Sequence, residues 1–305
     1  MFKYILKRFL EAIPVLLVVT LLTFSMLHIA PGGPFDQEKP LPADIEANLR
    51  AYYGLDKPLI EQYFQYLKNL FHGDLGPSFK YPGWTVNEII ANKIPVSIEL
   101  GIYSLIIALF FGILIGVLAA LNQNTFLDYV PMSLAMIGIC LPSFVIAPLL
   151  ILIFAIKLEW FHTSGWNDMS DRVLPSITMA IFYTAYLARL TRGSMLDVLQ
   201  QDYIRTAKAK GLSPYRITFV HALRNALHPI VSYLGPALAG LISGSFVIET
   251  VFNIPGLGQF FVQAAFNRDY TLVLGTVLCY AIAIVVFNLI ADIILVWLNP
   301  KEKFS

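Results

Sequence analysis

Residues 202–223 read DYIRTAKAKGLSPYRITFVHAL and place a basic, water-soluble stretch between two very apolar parts of the chain. The sequence of 305 residues is 57% hydrophobic and only 13% charged, whereas soluble domains average about 25% charged residues. This contrast indicates a membrane protein in which the basic stretch is a loop in water.

The apolar residues on either side of this loop form runs long enough to cross lipid, which takes about 20 residues. Backbone polar groups must be paired inside hydrocarbon, so each run is expected to be a helix. The runs also lack the alternation of barrel strands. The sequence therefore predicts an all-α polytopic membrane protein with six transmembrane helices. The predicted spans are residues 9–30, 98–120, 129–156, 173–190, 230–251 and 271–298.

The distribution of Lys and Arg predicts the orientation of these spans. With the N-terminus inside, the inner segments carry 12 basic residues and the short outer segments carry 3. The long 31–97 loop is left out of this comparison because long loops translocate regardless of charge. Both termini and the basic loop at 189–224 are therefore expected on the cytoplasmic side.

The outer loop at 31–97 is expected to be a folded helical insert between the N-terminal span (1–30) and a five-helix core (98–305). Glycines and capping residues predict three short helices in it. Packing against the membrane mouth and docking of a soluble partner both remain open as its purpose. The signals are Gly54 after PADIEANLRAYY, Pro58 at the N1 position and Gly73 after KPLIEQYFQYLKNLFH, and a capping box of Thr85 and Glu88 in TVNE.

The basic loop has the pattern of two helices joined by a glycine turn. Apolar residues from Leu196 to Ala207, with Tyr203 among them, recur at helical spacing and predict one helix over 196–210. Gly211 suits the left-handed position that ends a helix. Ser213 and Pro214 suit the start of the next helix, as N-cap and N1 residues. Attraction to anionic lipid would explain the charge, but a protein partner explains both the charge and the two amphipathic helices.

Small residues in spans two and five predict close helix packing. Gly112 and Gly116 form a GxxxG step that is expected to pack within the subunit. Span five is rich in small residues, and it is open whether they pack, meet another subunit or line a pathway. A broken outer segment, TVFNIPGLGQFF, follows span five and could serve as a gate. The candidate pathway and gate residues are Gly240, Ser243, Gly244, Glu249, Pro255, Gly256 and Gly258.

Sequence signatures of catalysis do not occur in the chain. It has no Gly-Lys dipeptide and therefore no phosphate-binding P-loop. It also has no HExxH or GxSxG motif, and its five histidines show no metal-ligand spacing. We therefore expect no catalytic residues, no metal site, no cofactor and no nucleic-acid partner, which leaves transport or a structural role in the membrane.

The segment RTAKAKG at 205–211 resembles the EAA loop of ABC-importer permeases. The consensus of that loop is E-A-A, three residues, Gly, nine residues and then I-x-L-P. Ala207 and Gly211 match it, Arg205 replaces the Glu, and only Leu223 remains of the final motif. Further segments resemble the peptide-importing branch of the same family along the whole chain. They are LEAIP, APGGPF, HGDLGPSFKY, PSFVIAPLL, LTRGSMLDVL, DYIRTAKAKGL, HALRNAL and ETVFNIPGLGQ.

The resemblance implies the type I importer fold, alternating access and a machine of five parts in the bacterial inner membrane. This chain would be one of two permeases, the B component of an oligopeptide importer. Beside it would stand a homologous permease (C), two ATPases (D and F) and a periplasmic peptide-binding protein (A). The segment 196–211 would be the coupling helix seated in an ATPase, and oligopeptides would be the substrate. The coupling residues so implied are Tyr203, Arg205, Thr206, Ala207, Lys208, Lys210, Gly211, Leu212 and Ser213.

Three alternatives stay open beside this expectation. A permease of the same family could carry dipeptides, nickel or another small solute. A proton-coupled secondary transporter could use the acids Asp292 or Glu249, although no pair of interrupted helices is evident in the sequence. A structural assembly factor would show no flux at all.

Overall fold

The computed structural model describes residues 2–35 and 43–298, and within them the side chains of 2–7, 43–47, 243–244 and 295–298 lie outside the description. The described chain is helical, and its extended pairing is limited to an isolated bridge between Pro77 and Thr85. The elements are α1 (Phe2–Ile29), α2 (Ala43–Tyr52), α3 (Leu59–Phe71), α4 (Val86–Leu121), α5 (Phe126–Cys140), α6 (Ser143–Leu150) with a π-helical continuation (Ile151–Lys157), α7 (Met169–Leu199), α8 (Asp202–Ala209), α9 (Pro214–Arg216) with a π-helical continuation (Ile217–Ala222), α10 (Leu223–Ala226), α11 (His228–Val251), α12 (Leu257–Asn267) and α13 (Tyr270–Leu298).

Five helices in the described part of the chain are long and apolar enough to cross a membrane: α1, α4, α7, α11 and α13. They agree with five of the six predicted spans. The sixth, 129–156, was expected as one span that Pro131, Pro142 and Pro148 could bend. The structure has α5 and then α6 with its continuation there, bent by 108° at a short break, so this span is broken rather than continuous.

Proline chemistry explains this break. Pro142 has no N–H to donate, and its ring disfavours helical geometry at the preceding residue. Leu141 accordingly has an extended backbone, with φ −82° and ψ 123°, and Pro142 follows with ψ 143°. The helix therefore stops at Cys140 and starts again at Ser143 in a new direction.

The chain divides into two compact units, each with its own contacts. One contains the described residues up to Val96 together with Pro255–Ala283, and the other contains Ser97–Ile254 and the described residues from Ile284 onward. The first unit holds the folded insert. Its core is built from Val86 and Ile89 on α4, Ala264 on α12 and Leu272 on α13.

The predicted helices of the insert are present in the first unit. Helix α2 ends before Gly54, which has φ +66° and thus the left-handed conformation expected of it. Pro58 is the N-cap of α3 rather than its N1 residue, because its ψ of 141° is extended. Thr85 and Glu88 form the predicted capping box, since the Thr85 amide donates to the Glu88 carboxylate at 2.9 Å and the Glu88 amide donates to Thr85 Oγ1 at 3.2 Å. The third helix is continuous with span two as α4.

A buried carboxylate fastens the segment before α4 to the start of α13. Ser78 donates a hydrogen bond to Asp269, and both side chains are buried. Asp269 also caps α13, where it accepts from the Leu272 amide at 3.2 Å. Thr271 adds a second link by donating to the Pro77 carbonyl at 2.7 Å. These contacts explain why a polar segment, GPSFKY, takes a fixed place in the first unit.

Glycines allow α4 and α7 to approach closely in the second unit. A Cβ on Gly112 would lie 2.7 Å from the Leu187 Cβ, and one on Gly116 would lie 2.6 Å from the Ala188 carbonyl oxygen. Real Cβ atoms essentially never lie this close to another heavy atom. The GxxxG step therefore packs within the subunit, as the sequence indicated.

We expect Gly116→Ala to destabilise the folded chain by about 1–3 kcal/mol, because the added methyl overpacks a contact with backbone. Gly193→Ala is the matched control, since it lies on α7 and a Cβ there would meet nothing within 4 Å. The control should be neutral or stabilising by up to about 1 kcal/mol through helix propensity. Thermal unfolding of both variants in detergent measures the difference. Equal stability of the two variants would refute close packing at Gly116.

Candidate functional site

The basic loop contains a separate short helix, α8, rather than one helix over 196–210. Helix α7 ends at Leu199, and Gln201 is extended with φ −69° and ψ 149°. Gln201 then begins α8, and its carbonyl accepts from the Ile204 amide at 3.0 Å. The prediction of a continuous helix is therefore wrong, although both of its halves are helical.

Burial accounts for the new direction of α8. The break turns Ile204 inward, and this side chain is 0% exposed. Ile204 and Ala207 pack with Met195 of α7 and Val117 of α4 in one apolar cluster, and Leu212 covers its edge. Burying a side chain such as Ile is worth about 1.5–3 kcal/mol, which favours the break over a continued helix. Helix α8 is thus held firmly against two of the long helices.

Tyr203 does not belong to the buried face on which the spacing placed it. Its side chain is 41% exposed. The Tyr203 hydroxyl accepts from Asn225 Nδ2 at 2.7 Å and so joins α8 to α10. Helical spacing from Leu199 to Tyr203 does not hold in the structure, because α7 ends at Leu199 and α8 begins after Gln201 in a new direction.

A glycine turn ends α8 in the geometry of a Schellman motif. The Gly211 amide donates to the Lys208 carbonyl at 3.0 Å, and the Leu212 amide donates to the Ala207 carbonyl at 3.3 Å. Gly211 has φ +74°, and a Cβ on it would meet nothing within 4 Å. Ser213 then caps α9, because its side chain accepts from the Arg216 amide at 3.4 Å. Pro214 is the first residue of α9, as predicted.

The outward side of α8 and α9 is a mixed basic and aromatic surface, which we name the α8 surface. Its one described ion pair, Arg205 with Asp202 at 3.5 Å, is highly exposed and is worth less than about 1 kcal/mol. Arg and aromatic side chains together are typical of protein-binding surfaces. The α8 surface consists of Asp202, Tyr203, Arg205, Thr206, Lys208, Lys210, Gly211, Ser213, Tyr215, Arg216 and Phe219.

An ion pair that the sequence analysis missed joins α5 to α7 in the same unit. Arg192 donates two hydrogen bonds to Asp128, from Nε to Oδ1 at 2.5 Å and from Nη2 to Oδ2 at 2.7 Å. Asp128 is buried and also accepts from the Asn124 amide at 3.0 Å. Bidentate pairs of this kind are stronger than single hydrogen bonds and also fix the relative orientation of the two side chains. The available signal was an acid, Asp128, immediately before the predicted span 129–156.

A second group that spacing did not reveal lies before α7. His162, Asp168 and Asp171 have potential metal-ligand atoms within 4.8 Å of one another. However, Asp171 already serves the capping box of α7, where Oδ2 accepts from the Asp168 amide at 3.0 Å. Its Oδ1 lies 2.6 Å from His162 Nδ1, and this hydrogen bond raises the pKa of His162 above its ordinary value. The arrangement is therefore complete as a helix cap.

A cavity of about 350 Å³ lies where α5 breaks into α6. Non-helical backbone at membrane depth is tolerated where it lines a cavity or is buried in protein. The ends of interrupted helices also carry partial charges that suit polar substrates. The cavity is lined by Leu141, Pro142 and Ser143 at the break, by Thr178, Phe182 and Tyr183 of α7, and by Gly240 and Ile248 of α11, among others.

The structure divides the predicted pathway residues of span five into different environments. Gly240 lines the cavity, and a Cβ on it would lie 2.4 Å from the Tyr183 hydroxyl oxygen. Another glycine of the same helix, Gly235, was not among the candidates and packs against α13, where a Cβ would lie 2.7 Å from the Ala291 Cβ. Ser243 and Gly244 belong to α11, but their burial and contacts lie outside the description.

Glu249 is 0% exposed and is not among the residues that line the cavity. Its Oε1 accepts hydrogen bonds from Ser97 and Ser245, each at 2.7 Å. The carboxylate thereby ties α4 to α11, which supports a structural role for it.

The broken segment after span five is present as predicted, and it falls across the boundary of the two units. Helix α11 ends at Val251, and the Ile254 amide donates to the Glu249 carbonyl at 2.8 Å. In the other unit, Pro255 precedes Gly256, which is the N-cap of α12, and Gly258 is buried in the first turn. Whether these residues act as a gate remains a prediction.

Comparison with known proteins gives the family. The model of the binding-protein-dependent transport system inner membrane component matches residues 112–304, and the model of its N-terminal part matches residues 1–101. The chain is 48% identical to the oligopeptide transport system permease protein OppB of Salmonella typhimurium and 49% identical to that of Haemophilus influenzae, with 100% of each chain covered. It is 46% identical to the dipeptide transport system permease protein DppB of Bacillus subtilis, over 99% of this chain and 98% of the relative.

Solved structures agree on the fold. The chain is similar to a subunit of the inward-facing MetNI methionine ABC transporter, with a TM-score of 0.56 and 17% identity over 69% of this chain and 96% of the other. A similar match to an amino acid ABC transporter has a TM-score of 0.54 at 15% identity, over 68% of this chain and 93% of the other. The chain therefore has the fold of ABC importer permeases and belongs to the family of binding-protein-dependent transport system inner membrane components.

Proposed function

We propose that this chain is the B permease of an ATP-driven importer that moves oligopeptides across the bacterial inner membrane. Its relatives in Salmonella and Haemophilus are named oligopeptide permeases, and they match along the entire chain. ATP hydrolysis takes place on separate subunits and reaches this chain through residues 196–211.

The observation that carries this proposal is the construction of α8. Ile204 and Ala207 anchor the helix to the ends of α4 and α7, while its outward side forms the α8 surface. A force applied to that surface is therefore passed to two long helices. A loop that merely attracted anionic lipid would need charge but no such rigid mounting.

The remaining parts of the machine follow from the same assignment. The ATPases D and F act from the cytoplasm, and the α8 surface contacts one of them. A homologous permease C completes the pathway, to which the cavity at the α5–α6 break contributes. The insert at 31–97 faces the periplasm, where the peptide-binding protein A docks.

A dipeptide importer of the same family is the second candidate, because the Bacillus subtilis relative at 46% identity carries that name. A competition assay distinguishes the oligopeptide importer from the dipeptide importer. It measures uptake of a radiolabelled tripeptide by the complete importer in the presence of unlabelled dipeptides or hexapeptides. Competition by hexapeptides supports the oligopeptide assignment, and competition by dipeptides alone supports the other.

Reconstitution tests the function as a whole. We expect peptide accumulation in proteoliposomes when this chain is combined with permease C, both ATPases, the binding protein and ATP. The purified chain alone should neither bind nor hydrolyse ATP, because its sequence has no P-loop. ATP-independent accumulation by this chain alone, driven by a proton gradient, would support a secondary transporter instead.

Cysteine labelling tests the orientation. An impermeant thiol reagent should label Glu61→Cys in cells with a permeabilised outer membrane and should miss Lys208→Cys, because the bias of basic residues predicts that the α8 surface is cytoplasmic. Both positions are exposed in the structure, and the chain is produced without its ATPases so that no partner covers Lys208. Access to either position then depends on the side of the membrane. The natural Cys140 and Cys279 are replaced by Ala in both variants. Labelling of the Lys208→Cys variant from outside would contradict the predicted orientation and indicate the opposite one.

A further inference from the structure

Helix α3 in the first unit has one polar side and one apolar side, and the polar side is the one that faces the protein. Gln62, Gln65 and Asn69 recur at helical spacing, and all three line a cavity of about 270 Å³ within the unit. Gln62 donates to the Lys57 carbonyl at 2.7 Å, and Gln65 donates to Asn69 at 2.9 Å. The polar side of α3 is therefore occupied by contacts with the insert itself.

The apolar side of α3 points away from the protein. Ile60, Phe64 and Phe71 follow one another at spacings of four and seven residues, which places them on one stripe opposite the polar side. Their side chains are 74%, 65% and 85% exposed. We name these three side chains the apolar face of α3. A helix in water turns such a face toward the protein, so the reverse arrangement marks contact with lipid or with another protein.

Tyr63 fixes the level of α3 along the membrane-crossing helix α1. Its hydroxyl donates to the Leu17 carbonyl at 3.3 Å and lies 3.1 Å from Thr20 Oγ1. Leu17 lies 12 residues before Ile29, the last residue of α1, and this distance is about 18 Å along a helix. The contact thus lies well inside the apolar stretch Arg8–Ile29, which is long enough to cross a membrane.

We propose that α3 is an interfacial helix whose apolar face lies among the acyl chains of the lipid leaflet at the C-terminal end of α1. The lipid-facing surface of α1 continues beside it, since Val18 and Leu21 near the Tyr63 contact are also exposed. A helix of this kind lies in the plane of the membrane, with its apolar side in the acyl region and its polar side turned away from it.

The charged residues of α3 agree with this placement. Glu61 and Lys68 lie between the polar side and the apolar face, and both are exposed. Charged side chains at such positions reach the headgroups and water while the helix stays in the interface. In the orientation proposed above, the leaflet is the periplasmic one. Helix α3 then packs the insert onto the membrane, and other parts of the insert remain for a soluble partner.

Another protein is the competing occupant of the apolar face. A soluble partner does not reach a face that lies level with the membrane-crossing stretch of α1. A partner within the membrane would exclude lipid from the face. The two occupants therefore differ in whether small molecules dissolved in the lipid reach the apolar face.

Spin labels on four single-cysteine variants test the proposal in lipid nanodiscs, with the full-length chain alone and in the assembled importer. Phe64→Cys and Phe71→Cys place the label on the apolar face. Glu61→Cys and Lys68→Cys are the matched controls, each three residues earlier on the same helix and exposed. The two natural cysteines are replaced by Ala throughout, and gel filtration verifies that each variant is folded. Power-saturation EPR measures collisions of the label with oxygen, which concentrates in hydrocarbon, and with a nickel chelate, which stays in water.

We expect the ratio of oxygen to nickel collisions to be at least about fivefold higher at positions 64 and 71 than at positions 61 and 68, because only the apolar face is in hydrocarbon. Equal ratios at all four positions would mean that the apolar face lies in water and would overturn the proposal. Low collision rates with both reagents at positions 64 and 71, in either preparation, would mean that protein covers the face, and would overturn it as well.

Discussion

Gly211→Val is expected to abolish most peptide transport while the permease reaches the membrane in normal amounts. Gly211 has φ +74°, and a β-branched residue in that conformation is strained by about 1 kcal/mol or more. A Cβ at this position meets nothing within 4 Å, so the strain comes from the backbone conformation and is relieved by moving the turn. The Leu212 to Ala207 hydrogen bond is then lost and α9 tilts away from α8, so that the α8 surface no longer fits its ATPase. Co-purification of the ATPases and uptake into vesicles measure the effect.

Gly54→Val is a matched control for backbone strain. Gly54 has φ +66°, and a Cβ there also meets nothing within 4 Å, but it lies in the insert far along the chain from α8. This variant should keep its ATPases bound. Replacing Lys208 and Lys210 together by Gln should also have a small effect, because exposed charges contribute less than about 1 kcal/mol each. Normal transport in Gly211→Val with failure of the double Gln variant would identify the loop as a lipid-binding charge patch.

Features that depend on a few adjacent residues could be predicted from the sequence. The left-handed turn at Gly211, the N-cap at Ser213 and the capping box at Thr85 all follow from local backbone rules. The long apolar helices were also predictable, since lipid requires every backbone group to be paired within the helix.

Features that depend on distant partners could not be predicted in this way. The pairing of Asp128 with Arg192 joins residues 64 positions apart, and nothing local marks them as partners. The face of α8 was misassigned because burial of Ile204 against Val117 and Met195 outweighs helix continuity at Gln201. The break at Pro142 was foreseeable as a bend, but its angle of 108° depends on the helices around it.

Gly240→Leu is expected to reduce transport by about tenfold or more, which corresponds to about 1.4 kcal/mol or more in the barrier, without loss of folded protein. The first atom of the new side chain would lie 2.4 Å from the Tyr183 hydroxyl oxygen. That oxygen is the far end of a side chain, and the neighbouring cavity of about 350 Å³ gives the ring room to move. The leucine and the displaced ring then occupy the space at the α5–α6 break. Uptake into vesicles, normalised to the amount of assembled complex, measures the loss.

Two further variants separate obstruction of the pathway from a general packing defect. Ile106→Leu changes a side chain that is 57% exposed on α4, and uptake should stay near the wild-type rate. Gly240→Ala should clash with the same hydroxyl but fill little of the cavity. Any uptake that Gly240→Ala loses through this clash should be recovered when Tyr183→Phe removes the clashing oxygen. Gly240→Leu combined with Tyr183→Phe should stay blocked, because the leucine still fills the cavity. If Gly240→Leu and Ile106→Leu transport equally well, the cavity is not on the pathway and Gly240 serves only to bring α11 close to α7.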